Sequence, residues 1–183
     1  MQSPSGPPAD SLQRPPCPYI AIGVPLHTNL VFALAVGIGF VAGLRSLTAP
    51  AAVSWAAHLG WLDLHDSSLA FMGSTVVLTI LSLLAVAEYA ADLLPTTPRR
   101  TTPGPLIARI VMGGLSGACL CASASRSVSV GAVLGGLGGL IGAFAGYEAR
   151  ARLVKALKVK DRVIGLSEDI VTIVLAWSVV SWR

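Results

Sequence analysis

The chain has 183 residues, of which 54% are hydrophobic and 12% charged, a composition that is rare for a water-soluble domain and expected when lipid is the solvent. Its net charge of +4 does not indicate a nucleic-acid partner, because the cationic residues lie in short loops between apolar runs. We therefore predict an all-α, polytopic membrane helical bundle of five to six membrane segments, one of them short or re-entrant.

The N-terminal residues 1–18 are rich in proline and carry six of the twelve prolines of the chain. They contain almost no large apolar side chains, so they cannot bury enough surface to fold and are predicted to form a disordered tail. They also lack the basic region, apolar run and cleavage site of a signal peptide. Residues 19–183 are predicted to form a single integral membrane domain.

The first two predicted helices differ in length. The first covers 28–45 and the second about 49–62, where Ser46 or Thr48 is the expected N-cap and Pro50 suits the first turn. At ~1.5 Å per residue the second helix is ~20 Å long, which is short of the ~30 Å hydrocarbon core. It is therefore either a tilted crossing or one arm of a re-entrant hairpin.

Four longer helices follow, and prolines or charges separate them. In the linker at 96–105, Pro98, Pro103 and Pro105 are predicted to prevent a continuous helix. A cationic stretch, read as a loop, covers 148–162. The four predicted helices are 69–94, 106–123, 128–147 and 163–182.

Positive charge is distributed unevenly between the predicted loops. Two segments that are separated by two helices carry eight cations, whereas the loop between those helices carries only Arg126. The bias predicts that the eight are cytoplasmic and that the C-terminus is outside. The N-terminus is outside if the short helix crosses fully, which we favour, and inside if that helix is re-entrant. The eight cations are Arg99, Arg100, Arg150, Arg152, Lys155, Lys158, Lys160 and Arg162.

Seven other ionisable residues lie inside a predicted helix or near its end, where charge at the bilayer centre costs about 2.5–3.5 kcal/mol. If the short helix crosses, all seven fall in one layer just below the cytoplasmic interface and face the bundle interior. Structural pairing explains them most simply. The alternative is a site for a cation or proton, because the carboxylates outnumber the arginines. The seven are Arg45, Glu88, Asp92, Arg109, Glu148, Glu168 and Asp169.

The sequence contains no recognisable arrangement of catalytic residues. No Ser-His-Asp set, HExxH motif or nucleotide-binding loop is present, and no histidine stands near Cys119 and Cys121. We therefore predict that the chain is not an enzyme, and that it has no cofactor and no metal site.

Seven glycines crowd the predicted helix at residues 131–146. Their missing side chains allow a neighbouring helix to approach closely, which replaces the hydrophobic drive that is absent between helices in lipid. Tight packing within the chain is the favoured interpretation, and a homo-oligomer interface is the alternative. One four-residue track is Gly131, Gly135 and Gly139, and the other is Gly138, Gly142 and Gly146.

Four motifs together resemble the bacterial membrane family known as domain of unknown function 4126. They are GLRSLTAPA at 43–51, AEYAADLLP at 87–95, GYEARAR at 146–152 and SEDIVTI at 167–173. The resemblance covers about residues 28–175 and implies a multispanning protein of the bacterial inner membrane with no established activity. The chain departs from the family pattern at Leu93, where a basic residue is expected.

The leading functional hypothesis is a small transporter or permeation protein that uses the carboxylate and arginine cluster for a cation or proton. In it Glu88, Asp92, Glu148 and Asp169 bind the ion, and the two arginines, Arg45 and Arg109, are counter-charges or anion contacts. The alternative is a membrane scaffold that associates through the glycine-rich helix, and a membrane-embedded enzyme ranks third. The predicted partners are the lipid bilayer, a small ion or solute, and another copy of the chain.

Overall fold

The computed structural model describes residues 28–92, 103–157 and 161–181. The predicted tail at 1–18 and most of the predicted linker at 96–105 lie outside these ranges. The described residues form six α-helices, one 3₁₀ turn and no strand, which confirms the all-α class. The helices are α1 (Thr28–Leu44), α2 (Thr48–His58), α3 (Thr75–Asp92), α4 (Pro103–Ser123), α5 (Val128–Leu157) and α6 (Asp161–Val180), and the 3₁₀ turn is Ala70–Gly73.

Two of these helices are long and apolar enough to cross a membrane. They are α4, over Pro103–Ser123, and the part of α5 over Val128–Leu153. The helices over Thr28–Leu44 and Thr75–Ala91 are also apolar, but they are shorter. The helical class is therefore established, together with two helices of membrane length.

The glycine-rich part of α5 lies between α1 and α4. Along one track, a Cβ atom on Gly131 would lie 2.5 Å from the carbonyl oxygen of Gly117, and one on Gly139 would lie 2.7 Å from that of Arg109. Between them, Gly135 abuts the carbonyl of Gly113. Because residue numbers fall on α4 as they rise on α5, these two helices are antiparallel and their backbones are in contact.

The second glycine track of α5 contacts α1. A Cβ on Gly138 would lie 2.9 Å from the amide nitrogen of Phe40, and one on Gly142 would lie 3.0 Å from Cα of Gly43. The numbers rise together, so α1 and α5 are parallel. Gly146 is buried as well. Both tracks are therefore filled by helices of the same chain, which is the intramolecular packing that the sequence favoured.

The short helix α2 runs antiparallel to α3. Thr48 Oγ1 and Tyr89 Oη are 3.1 Å apart at one end of the pair, and His58 Nδ1 is 3.1 Å from the Gly73 carbonyl oxygen at the other. α2 ends in a Schellman motif: the Trp61 amide donates to the Ala56 carbonyl (2.8 Å), and Gly60 has a φ of +74°. This motif ends α2 four residues earlier than predicted.

The prediction of a helix over 69–94 is wrong at its start, because α3 begins only at Thr75. The apolar start of the predicted helix forms the 3₁₀ turn instead, where the carbonyl oxygen of Met72 accepts a hydrogen bond from Ser54 Oγ at 2.6 Å. Met72 and Ser54 are both buried. Apolar residues fill a buried turn as well as a helix, so hydropathy alone could not find this break.

The starts and ends of α4 and α5 also differ from the prediction. α4 begins at Pro103 and contains Pro105, because the first-turn amides of a helix have no intrahelical partner and proline is tolerated there. α5 continues ten residues beyond the predicted end at Tyr147 and ends at Leu157. The first part of the cationic stretch at 148–162 is therefore helix and not loop.

Candidate functional site

The three-residue turn between α1 and α2 contains a buried guanidinium. Arg45 is 2% exposed, and its Nε donates a 2.9 Å hydrogen bond to Asp169 Oδ1 on α6. Its Nη2 contacts the same carboxylate oxygen. The guanidinium carbon also lies 4.2 Å from the ring centroid of Tyr89 on α3. Arg45 thus joins the α1–α2 turn to two other helices, through an ion pair and a cation–π contact.

The carboxylate of Glu88 lies against the start of α2. Its Oε1 accepts the amide of Ser46 at 2.9 Å, and its Oε2 accepts the amide of Leu47 at 3.0 Å. The N-cap of α2 is Leu47, and no side chain of the turn caps the helix. The expected capping by Ser46 or Thr48 is therefore wrong. An acid from α3 meets the positive end of the helix instead.

Arg109 lies against the end of α1. Its Nη1 donates to the carbonyl oxygens of Gly43, at 2.6 Å, and Leu44, at 3.2 Å, and the side chain is 6% exposed. The last carbonyls of a helix have no intrahelical donor and carry partial negative charge, so a guanidinium satisfies them. Arg109 was expected to face the acids, whereas its Nη1 donates to backbone carbonyls.

Glu168 lies one residue before Asp169 and faces a third arginine. Its Oε2 is 4.0 Å from Arg150 Nη1, and both side chains are mostly buried. The sequence assigned Arg150 to a loop, but the extension of α5 carries it into the bundle. The described side chains of this region thus include three guanidinium groups and three carboxylates. The predicted excess of acid is therefore absent from the described part. We call these six residues the charge cluster: Arg45, Glu88, Arg109, Arg150, Glu168 and Asp169.

Glu148 does not join the charge cluster. It is 56% exposed, and its Oε1 accepts a 2.9 Å hydrogen bond from Nε of Arg152, which is 78% exposed. Glu148 and Arg150 are two residues apart on α5, which turns their side chains about 200° from each other. Since Arg150 faces inward, Glu148 faces outward. Asp92 is the last residue of α3, and its side chain lies outside the described part of the structure.

Tyr89 is a member of the site that sequence reasoning missed. Its ring covers the Arg45 guanidinium, and its hydroxyl is within hydrogen-bond distance of Thr48. The signal was its position directly after Glu88 near the end of an apolar helix. As for metals, no group of three or more His, Cys, Asp or Glu side chains within the described ranges could hold an ion.

These observations define the class of protein, an all-helical bundle with a close-packed glycine core and ionic contacts between helix ends. Over residues 32–182 the chain matches the family described as "Domain of unknown function (DUF4126)", and it belongs to that family. The match confirms the resemblance that the four motifs carried. Neither the curated proteins nor the solved structures include a match to the chain.

Proposed function

We propose that this protein is an integral protein of the bacterial inner membrane, with its six helices as membrane segments, and that its charge cluster passes a small cation or a proton. In this proposal α2 is the short segment. The start of α1 and the end of α6 both lie on the outer side. The close contacts of the glycine-rich part of α5 with α1 and α4 form the rigid part that holds the charged helix ends in place.

The outer surface of the bundle supports the membrane assignment. Large apolar side chains are exposed along the outward faces of three helices, including Leu83 on α3, Val133 on α5 and Val174 on α6. A monomeric soluble protein rarely exposes apolar surface on this scale. Lipid chains would cover these faces, and the polar contacts would then lie inside the bundle or at its ends.

The helix ends that meet support the proposed orientation. Contacts bring together the end of α1, the end of α3, the start of α4, the extension of α5 and the start of α6. The exposed cations Arg152 and Lys155 belong to this end, which supports a cytoplasmic location. The charge cluster would lie just inside the cytoplasmic interface.

The observation that carries the transport proposal is the buried Arg45–Asp169 pair at the break between α1 and α2. Ion pairs in lipid contribute little net stability, because desolvation offsets their attraction, so their presence there favours a functional role. The same turn brings the end of α1 and the start of α2 together, and helix ends that face charged groups also bind ions and substrates in transporters. Here Arg109 faces one helix end and Glu88 faces the other.

Ion flux into proteoliposomes tests this proposal. We expect Glu88→Gln and Asp169→Asn each to lower proton or monovalent-cation flux about tenfold, which corresponds to about 1.4 kcal/mol in the barrier. Glu148→Gln is the matched control, since it removes an exposed acid from the same end of the bundle. Equal flux through the wild type, both cluster variants and empty liposomes contradicts a transport role.

A structural role in a membrane assembly is the second candidate, and one observation favours it. Each of the six members of the charge cluster has a contact within the chain, so the cluster also suits a lock between helices. The outward face of α5, with Val133, Leu137 and Ile141, is exposed for a partner. Crosslinking in native membranes separates the two candidates. A specific partner together with no flux supports the assembly role.

A further inference from the structure

The environment of the Arg45 guanidinium resembles a binding site for a planar organic cation. A carboxylate oxygen of Asp169 lies 2.9 Å from Nε at its edge, and the Tyr89 ring covers its face at 4.2 Å. An aromatic face attracts guanidinium and similar cations through its quadrupole, and a carboxylate supplies the ion pair. Small inorganic cations instead prefer several oxygen ligands. We define the guanidinium cage as Asp169 and Tyr89.

We propose that the cation handled by this protein is a small organic cation of the guanidinium class, and that Arg45 occupies its binding site as an internal substitute. The proposal rests on the transport function proposed above and names its substrate class. An incoming guanidinium would exchange with Arg45 at the carboxylate of Asp169 and on the face of Tyr89. One cation replaces another, so the charge of the cage is unchanged.

Burial differs between the two partners in a way that suits exchange. The Asp169 side chain is 17% exposed, whereas that of Arg45 is 2% exposed. The Asp169 side chain is therefore partly accessible while Arg45 is still in place, which exchange requires. Arg45 itself belongs to the turn between α1 and α2 and not to either helix. Neither helix therefore has to unwind when the Arg45 side chain leaves the cage.

The test is rescue of Arg45→Ala by guanidinium in the purified, membrane-reconstituted protein. We expect millimolar guanidinium chloride, far below denaturing concentrations, to raise the midpoint of thermal unfolding of this variant by roughly 2–4 °C relative to sodium chloride. Urea at the same concentration should give no rise, because it is planar but uncharged. The wild type should show a smaller rise, because the guanidinium must first displace Arg45 from the cage.

Two further variants make the result specific. Arg152→Ala removes an exposed guanidinium from α5 and should show no more rise than the wild type. Arg45→Ala combined with Asp169→Asn should lose the rescue, because the cage has lost its carboxylate. Rescue of equal size in all three variants, or no rescue of Arg45→Ala, overturns the proposal.

If Arg45→Ala does not stay folded in sodium chloride, the readout becomes the yield of monodisperse protein extracted in guanidinium chloride or in sodium chloride. A gain in guanidinium supports the cage, and no gain overturns it. The rescue of Arg45→Ala by guanidinium is measured without any measurement of ion flux. Rescue without any flux contradicts the transport proposal alone, whereas flux of protons without rescue contradicts only the guanidinium class.

Discussion

At the residue scale, Arg45 is the residue on which the site depends most. Its contacts with Asp169 and Tyr89 connect side chains that are far apart in sequence, and the Arg45–Asp169 separation is 124 residues. The sequence predicted that these charges share a depth in the membrane, from the positive-inside bias and the helix order. It could not predict which acid Arg45 meets, because that depends on α6 packing antiparallel to α1.

Removal of Arg45 alone is expected to cost far more stability than removal of both partners. Arg45→Ala leaves the partly buried Asp169 carboxylate without this guanidinium and should lower the free energy of unfolding by about 2–4 kcal/mol. Replacement of the pair by Arg45→Met with Asp169→Leu should be close to neutral, since the desolvation cost of both charges disappears. Reversible unfolding in mixed micelles measures both changes.

The control for that experiment is Arg152→Ala, which breaks an exposed i,i+4 pair and should change the unfolding free energy by no more than about 0.5 kcal/mol. A large loss in the doubly substituted apolar variant, equal to the sum of the single losses, would contradict this account of the pair. A near-neutral double variant that has lost flux supports a functional reason for the buried charges.

At the element scale, the glycines of α5 decide how closely the helices pack. The sequence identified both tracks from their four-residue spacing, but it could not say which neighbour each track meets. The structure assigns one to α4 and the other to α1. The sequence also read the charges after Tyr147 as the start of a loop, because a helix that leaves the membrane carries the same charges as a loop there. Its extension brings Arg150 to Glu168.

Two adjacent glycines of α5 are expected to respond in opposite ways to alanine. Gly135→Ala would place a methyl group against the backbone carbonyl of Gly113, so α4 and α5 must separate, at a cost of about 1–3 kcal/mol. Gly136→Ala would meet only Ile110, at 3.5 Å from its Cγ2 atom, and should be neutral or stabilising by up to about 1 kcal/mol.

Thermal unfolding of the two variants in the same detergent measures this difference. Since only one position separates them, helix propensity and membrane depth are nearly matched. If both variants lose stability equally, the close contact between α4 and α5 is not what holds the core together. If Gly135→Ala changes only the oligomeric state, the glycine track belongs to an interface between chains.

At the scale of the whole molecule, all helices that contribute to the charge cluster end or begin at one end of the bundle, and the Trp61–Trp177 contact lies at the other. The two indole rings meet edge to face with centroids 4.9 Å apart. Tryptophan at a helix end and a bias of cations to one end are both typical of a bundle that crosses a bilayer. The ionic contacts of the charge cluster are useful for ion passage only if the bundle spans the membrane.

The most direct measurement of this central claim is the sidedness of single cysteines in a background without Cys17, Cys119 and Cys121. Ser68→Cys and Ser127→Cys lie in turns at the end remote from the charge cluster, and Lys155→Cys lies in the exposed extension of α5. We predict that a membrane-impermeant maleimide labels the first two from the outside of intact cells. It should label the third only after the cells are opened. Labelling of all three from the same side would contradict a bundle that spans the membrane and, with it, a charge cluster that passes ions.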